Sequence, residues 1–169
     1  MTTWEGSTTS SPRTGTTVDV LGMTMSFRLN GAETAGKFSI TDSYVLPGAG
    51  PVFLHTHPAE ETFIILEGQF EVYGRVDGTK VSQTVGPGHI HHVSSNAPHG
   101  IKNSGSTMGR MLLLFHPADL QESLFRDIGK STSPTAMPMP LTKPSPEDVA
   151  RLMKAFEKHR MKLLEEPHF

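Results

Sequence analysis

The sequence contains no cysteine among its 169 residues, which excludes disulfides, thiolate zinc sites and cysteine nucleophiles. It also lacks an excess of basic charge: the formal net charge is −2 at pH 7, so nucleic acid is not an expected partner. Long apolar runs are missing too, because the longest, FIIL and MLLLF, are far too short to cross a bilayer. The opening MTTWEGSTTSSPRTGTT has no basic start and no apolar stretch, so we expect no secretory signal and a cytoplasmic protein without a membrane partner.

Short strands separated by turns dominate the first two thirds of the chain. From Val18 onward Met23, Met25, Phe27 and Leu29 alternate with polar residues, which predicts a half-buried strand. Further strand candidates, most of them bounded by glycine- or proline-bearing turns, follow at 37–46, 52–57, 62–67, 69–76, 80–85, 89–93, 100–102 and 110–115. Such a series without intervening helices predicts an all-β sandwich or barrel.

The remaining third of the chain changes character. Leu120, Leu124 and Ile128 share one face of a predicted short helix that Gly129 ends. Ser145 is suited to cap a second helix, in which Pro146 occupies the first turn. The apolar stripe of that helix, predicted to pack on the barrel or on a second subunit, is Val149, Leu152, Met153, Phe156 and Leu163.

These patterns divide the chain into five parts. They are a flexible tail carrying Trp4 (1–17), a β-barrel (18–116), a short helix (117–130), a proline-rich linker (131–144) and a C-terminal helix (145–166). The ring of Trp4 docks on the domain or a partner, or is simply exposed.

Histidine is concentrated in one region: six of the nine histidines lie between His55 and His99. His55 and His57 are two apart on a predicted strand, so their imidazoles project from one face. Glu61 opens the next apolar run, and two imidazoles with one carboxylate form a set that suits ferrous iron and similar ions. The alternative is a surface His-x-His pair without function. Titratable groups beside FIIL would be costly to bury without a partner, which favours a metal.

Two segments, GPVFLHTHPAEETFIILEG and GHIHHVSSNAPHGIKN, resemble the two signature motifs of the cupin superfamily. The matching positions are His55, His57, Glu61 and Gly68 in the first motif, and Gly88, His99 and Asn103 in the second. Gly50 is one residue out of register, and Ser94 and Asn96 stand where the family has proline and glycine. Asparagine tolerates a left-handed turn better than other non-glycine residues, so Asn96 is a tolerable departure.

The resemblance implies a cupin-type jelly-roll barrel or sandwich with a C-terminal helical extension. It also implies one divalent metal ion per chain (Fe, Ni, Mn, Co, Cu or Zn), bound by His55, His57, Glu61 and His99. The C-terminal part resembles, more loosely, the tail of small quercetin-dioxygenase-like cupins.

Strand parity places further side chains near these ligands. Phe53 is in register with His55 and His57, and Phe63 and Ile65 are in register with Glu61, so they line an aromatic pocket or form plain barrel core. Either His91 or His92 faces inward towards the metal, unless both are on a solvated edge strand. His116, His159 and His168 are assigned no site.

The leading functional hypothesis is a metal-dependent, quercetinase-like dioxygenase or related oxidoreductase that acts on a small phenolic or enolic compound, with Glu61 as the base. The alternatives are a metal-dependent cyclase, isomerase or lyase of secondary metabolism, and a non-catalytic ligand-binding cupin. Exposed strand edges favour a homodimer, with residues 18–29 or the final helix at the interface.

Overall fold

The computed structural model describes residues 5–140 and 142–167, so Trp4 and His168 lie outside the described residues. The described chain forms two helices, α1 (Asp119–Ile128) and α2 (Pro146–Lys158), and a short 3-10 turn at Gly31–Thr34. The strands are β1 (Thr17–Val20), β2 (Met23–Leu29), β3 (Ser39–Val45), β4 (His55–Thr56), β5 (Glu60–Glu67), β6 (Phe70–Val76), β7 (Thr79–Val85), β8 (Ile90–Val93), β9 (Gly100–Asn103), β10 (Gly109–His116), β11 (Lys130–Thr132) and β12 (Lys162–Leu163).

The strands form a β-sandwich, which confirms the predicted all-β class with a C-terminal helix. A seven-stranded sheet has the order β11-β1-β2-β3-β10-β5-β8, a three-stranded sheet the order β7-β6-β9, and β12 pairs with β4. All of the pairings are antiparallel. A bridge between His55 and His99 connects β4 to the residue just before β9. The sandwich therefore brings the two histidine-bearing segments side by side.

The core occupies the space between the sheets, and strand alternation explains its composition. On β5, Glu61, Phe63 and Ile65 are buried, while the intervening residues are partly exposed. Strand β10 alternates in the same way, with Met111, Leu113 and Phe115 buried. One inward face of β5 thus carries both core residues and the carboxylate of the predicted site.

Residues 18–29 differ from the single half-buried strand that was predicted. Leu21 and Gly22 both have positive φ, 46° and 81°, and form a tight turn that separates β1 from β2. Thr24 and Ser26, expected to face solvent, are only 2% and 7% exposed. Strand β1 pairs with β11 and β2, and β2 pairs with β1 and β3, so neither strand is left with a free edge.

The N-terminal segment contacts the outer face of the large sheet. The Arg28 guanidinium donates from Nε to the Ser10 hydroxyl at 3.0 Å and also donates to the Ser11 carbonyl. Arg28 and Arg110 both bind the Asp42 carboxylate, at 3.3 and 2.9 Å. These contacts hold part of the predicted tail against the domain, while its mobility remains a prediction.

The buried face of α1 is turned by one residue from the predicted face. Gln121, Leu124 and Ile128 are buried, whereas Leu120 is only partly so. A helix presents one face to its neighbour, and the contacts of Leu124 and Ile128 with the core place Gln121 inside.

The C-terminal helix begins as predicted, since the Ser145 side chain accepts a hydrogen bond from Asp148 N. It ends at Lys158, not near residue 166, and Arg160 then adopts a positive φ of 60°. Leu163 consequently belongs to β12, so its assignment to the helical stripe was wrong. No helix among the described residues is long and apolar enough to cross a membrane.

Candidate metal centre

Four buried side chains of the two predicted motifs meet at one point inside the sandwich. His55, His57, Glu61 and His99 are each at most 6% exposed. Each of the three imidazoles offers one nitrogen, and these nitrogens all lie within 4.8 Å of one another. Glu61 Oε2 is 3.2 Å from His57 Nε2 and 3.2 Å from His99 Nε2. We refer to these four residues as the His/Glu cluster.

Backbone carbonyls fix the orientation of every imidazole in the cluster. The Nδ1 atoms of His55, His57 and His99 lie 3.2, 2.9 and 2.8 Å from the carbonyl oxygens of Phe53, Ala59 and Ala97. A carbonyl can only accept a hydrogen bond, so Nδ1 is the protonated nitrogen that donates in each ring. The Nε2 atoms are thereby left with their lone pairs directed into the cluster, which is the usual arrangement of metal-bound histidine.

The spacing of the cluster fits one divalent ion. His57 Nε2 lies 3.1 Å from His99 Nε2. Two lone pairs this close repel unless a proton or a cation lies between them. Neighbouring ligand atoms that are each about 2.1 Å from one ion are separated by about 3 Å. The three imidazoles can therefore hold one ion, and the donor set does not select a particular metal.

Burial and mutual contacts shift the pKa values of the cluster. Burial would raise the pKa of the Glu61 carboxyl, but the hydrogen bonds and charges of His57 and His99 outweigh it and lower the pKa to about 2. Burial, together with the neighbouring His99, lowers the pKa of His55 to about 3. Burial opposes protonation of His99 as well, yet its contact with Glu61 raises its pKa. Without a metal, the Glu61 carboxyl is therefore ionised, and His99 is the imidazole whose protonation it favours.

The turn before His99 is attached directly to the first motif. Asn96 adopts a positive φ of 60°, which confirms the left-handed turn expected there. Its backbone N–H donates to the His57 carbonyl at 2.9 Å, and the Ser95 hydroxyl donates to the Pro58 carbonyl at 2.6 Å. The turn that precedes His99 is thus fixed to the segment that follows β4.

A cavity of about 340 Å³ opens from the cluster towards the helices. Its walls are mostly apolar and include Phe53, Phe63 and Phe115 from the strands and Leu124 and Phe156 from the helices. Phe53 and Phe63, predicted to line a pocket or to form plain barrel core, both border this cavity. Ile65, also predicted to line the pocket, is buried in the core and is not part of the cavity wall.

The two remaining candidate histidines lie on opposite faces of β8. His91 is paired with Phe63 and its ring centroid is 6.1 Å from that of Phe63, so it points inward. His92 points outward, where its Nδ1 lies 3.0 Å from the Thr62 hydroxyl. Both line a second depression of about 420 Å³ between β6, β7 and β8, which His99 also borders. Neither residue lines the cavity that contains all four cluster residues.

Two other residues have environments that the sequence did not indicate. His159, assigned no site, is 6% exposed, and its Nε2 lies 2.7 Å from Asp127 Oδ2, so that it connects α2 to α1. Gln121 is 2% exposed and lines the cavity beside the cluster. When only the apolar periodicity is considered, a polar residue between Leu120 and Leu124 is expected to face solvent. For this reason the sequence did not indicate that Gln121 is buried.

Comparisons with known proteins give a consistent result for the fold. The family described as the Cupin domain matches residues 43–115. An oxalate decarboxylase variant from Bacillus subtilis is 21% identical with a TM-score of 0.56, and the match covers 66% of this chain and 30% of that one. A predicted oxalate decarboxylase from Thermotoga maritima is 20% identical with a TM-score of 0.56, covering 65% and 99%. An RmlC-like cupin from Shewanella frigidimarina is 22% identical with a TM-score of 0.53, covering 67% and 93%.

The match with the Bacillus subtilis enzyme thus spans less than a third of that protein. A comparison with curated proteins found no match. At these identities the solved structures support the fold alone.

Proposed function

We propose that the protein is a metal-dependent cupin enzyme whose ion is held by His55, His57, Glu61 and His99, on the ground that residues 43–115 match the family described as the Cupin domain. The observation that carries the proposal is the convergence of these four buried side chains on the wall of one cavity. An ion bound there supplies Lewis-acid chemistry and, if it is redox-active, chemistry with dioxygen.

The cavity favours an apolar substrate that carries few oxygen atoms. Pockets of about 300–1,000 Å³ accommodate molecules of drug size, and this one has a volume of about 340 Å³. Aromatic side chains such as Phe53, Phe63 and Phe115 suit a flat ring system. We propose a small phenolic or enolic substrate whose ionisable oxygen lies at the His/Glu cluster.

Glu61 is the proposed proton acceptor. It is the only carboxylate among the described residues that line the cavity. The substrate hydroxyl proton would pass to its carboxylate as the phenol or enol becomes an anion. Because the pKa of Glu61 is low, about 2, this transfer would depend on the ion at the His/Glu cluster acidifying the hydroxyl, as bound metals do for water. Phe53 and Phe63 would orient the ring and exclude water.

Decarboxylation of a small dianion such as oxalate fits this cavity less well. Lys143 is the only lysine or arginine among the described lining residues, and it is exposed at the mouth. A short dicarboxylate would leave most of the apolar wall unfilled and would be desolvated against it. The cyclase, isomerase or lyase alternative retains the same ion and the same base but consumes no dioxygen.

Metal content tests the first half of the proposal. Elemental analysis of untagged protein should give about one divalent ion per chain, and His57→Ala should lose it. His92→Ala is the matched control, because that imidazole points outward and should leave the metal in place. A His57→Ala protein with wild-type metal content would remove the metal site from the proposal.

Oxygen consumption tests the second half. Metal-reconstituted protein should consume dioxygen in proportion to the loss of a flavonol, a dione or a catechol. Turnover without oxygen uptake would replace the oxidoreductase with the Lewis-acid alternative. Binding without turnover would leave a ligand-binding cupin.

A homodimer in the cytoplasm remains our proposal for the state of the protein. Because β1 and β2 are paired on both sides within the chain, the terminal strands of the two larger described sheets are β11, β8, β7 and β9, while β4 and β12 form a sheet of two. Light scattering that gives a monomer mass at micromolar concentration would contradict the dimer.

A further inference from the structure

Gln121 is a buried polar residue on the wall of the cavity that contains the His/Glu cluster. Its side chain lines the same cavity as the His/Glu cluster, and the residue is only 2% exposed. No hydrogen bond joins its amide to a residue that the structure describes, and the buried polar atoms without a partner are the hydroxyls of Ser39, Thr41 and Ser43, not this amide. The Gln121 amide is therefore accessible from the cavity. The other polar lining residues outside the cluster, Thr142 and Lys143, are exposed. Gln121 is therefore the one buried polar side chain of the described cavity wall apart from the cluster.

A structural role does not account for this placement. The positions that α1 buries next to it are Leu124 and Ile128, which contact the apolar core. A leucine at position 121 would continue that face without desolvating an amide. Ligand cavities are lined mainly by apolar side chains with a few polar groups that fix the orientation of the ligand, and Gln121 is placed as such a group.

We propose that Gln121 is a specificity-determining residue that recognises a second polar group on the ligand. Its amide hydrogen-bonds a hydroxyl or carbonyl on the ligand body, while the ionisable oxygen of the same ligand lies at the His/Glu cluster. The identity of the group at the cluster rests on the proposed function above. An amide both donates and accepts, so either a hydroxyl or a carbonyl satisfies it.

The proposal narrows the substrate class. The two polar contacts come from different sides of the cavity, the cluster from the strands and Gln121 from helix α1, and apolar residues line the space between. The matching ligand is a flat, mostly apolar molecule with an acidic hydroxyl at one position and a separate oxygen elsewhere on its body. A site that supplies a buried hydrogen-bonding group discriminates strongly against a ligand that lacks the matching group.

A binding experiment with matched flavones tests the proposal on the full chain loaded with Zn²⁺, which prevents redox turnover. The reference probe is 3-hydroxyflavone. The compounds compared with it are derivatives that carry one extra hydroxyl at position 7, 3′ or 4′. Wild type should bind at least one of these derivatives about tenfold more tightly than the reference, as one satisfied hydrogen bond predicts. Gln121→Leu should remove that preference and keep the affinity for 3-hydroxyflavone.

Two controls keep the interpretation specific. Gln83→Leu makes the same change at an exposed position of β7 and should retain the wild-type preference. The melting temperature of ligand-free Gln121→Leu should equal or exceed that of the wild type, because the lost amide had no partner. A marked fall in that temperature would show that Gln121 is structural, and would overturn the proposal.

The remaining outcomes separate this proposal from the oxidoreductase. A hydroxyl preference that survives in Gln121→Leu overturns the role of Gln121 and leaves the oxidoreductase intact. A preference that depends on Gln121, in a protein that consumes no dioxygen when loaded with a redox-active ion, supports the binding role and refutes the oxidoreductase. If no flavone binds wild type, the ligand class and the role of Gln121 are both wrong.

Discussion

Leu163 is paired with His55 across the two-stranded sheet of β12 and β4. The C-terminal segment strengthens this pairing, since Leu164 N donates to the Leu54 carbonyl at 2.8 Å and Glu165 Oε2 accepts from Leu54 N at 3.1 Å. A two-residue strand has few hydrogen bonds of its own to fix its position. Together with the His55–His99 bridge, the segment after α2 therefore holds in place the strand that begins with a cluster histidine.

We expect removal of this segment to weaken metal binding. A chain that ends at Met161 loses β12, whereas a chain that ends at Pro167 retains it and serves as the control. Supporting contacts around metal ligands typically change affinity by roughly 10- to 100-fold, so Zn²⁺ should bind the shorter chain more weakly by about that factor. Calorimetric titration of both proteins measures this, and equal affinities would show that β4 keeps its position without β12.

A stability prediction concerns the hydroxyl of Thr41. It is fully buried on β3 and makes no hydrogen bond to any described residue, as is also true of the Ser39 and Ser43 hydroxyls. Thr41→Val keeps the shape and removes an unpaired polar group, so the free energy of unfolding should rise by about 1 kcal/mol. Thr17→Val is the matched control: its hydroxyl lies 2.8 Å from that of Ser26, and the change should destabilise. Urea denaturation measures both, and destabilisation by Thr41→Val would mean that its hydroxyl has a partner.

Much of the fold and of the cluster was predictable because the relevant signals are local. The apolar runs of β5 and β10 are visible in the letters, and His55, His57 and Glu61 lie within seven residues of one another. The orientation of α1 could not be predicted, because it depends on which face of the helix contacts the core. A single polar residue at position 121 is compatible with a helix that buries position 121 and with one that exposes it. The division of residues 18–29 was missed because Leu21, in the turn, is itself apolar.

The contact between helices α1 and α2 predicts a dependence of stability on pH. The Asp127 carboxylate accepts hydrogen bonds from His159 at 2.7 Å and Lys158 at 2.6 Å, and these lower its pKa from the ordinary 3.8. A lowered folded-state pKa contributes stability that is present above the unfolded value and is lost as the pH falls through the folded value. Asp127→Asn should therefore lower the melting temperature near neutral pH, and the difference from wild type should shrink below pH 3.8.

Glu157→Gln, on the exposed face of α2, is the control and should show no such change with pH. A difference between Asp127→Asn and wild type that stays constant on acidification would assign the effect to packing, because packing does not titrate.

The last prediction separates the two adjacent glutamates at the start of β5. Glu61 is 6% exposed and lies at the cluster, whereas the Glu60 side chain is 47% exposed and 3.9 Å from His116 on the outer face. Glu61→Gln keeps the shape and leaves three imidazoles to hold the ion, so much of the metal should remain. The variant has no proton acceptor at the cluster, so turnover of an identified substrate should fall by roughly a hundred- to ten-thousandfold.

Glu60→Gln should retain both metal and activity, because its side chain is on the opposite face of the strand. Rates and metal content should be measured together for both variants. An active, metal-loaded Glu61→Gln enzyme would remove the base from the mechanism. An inactive Glu60→Gln enzyme would show that the chemistry had been assigned to the wrong face of β5.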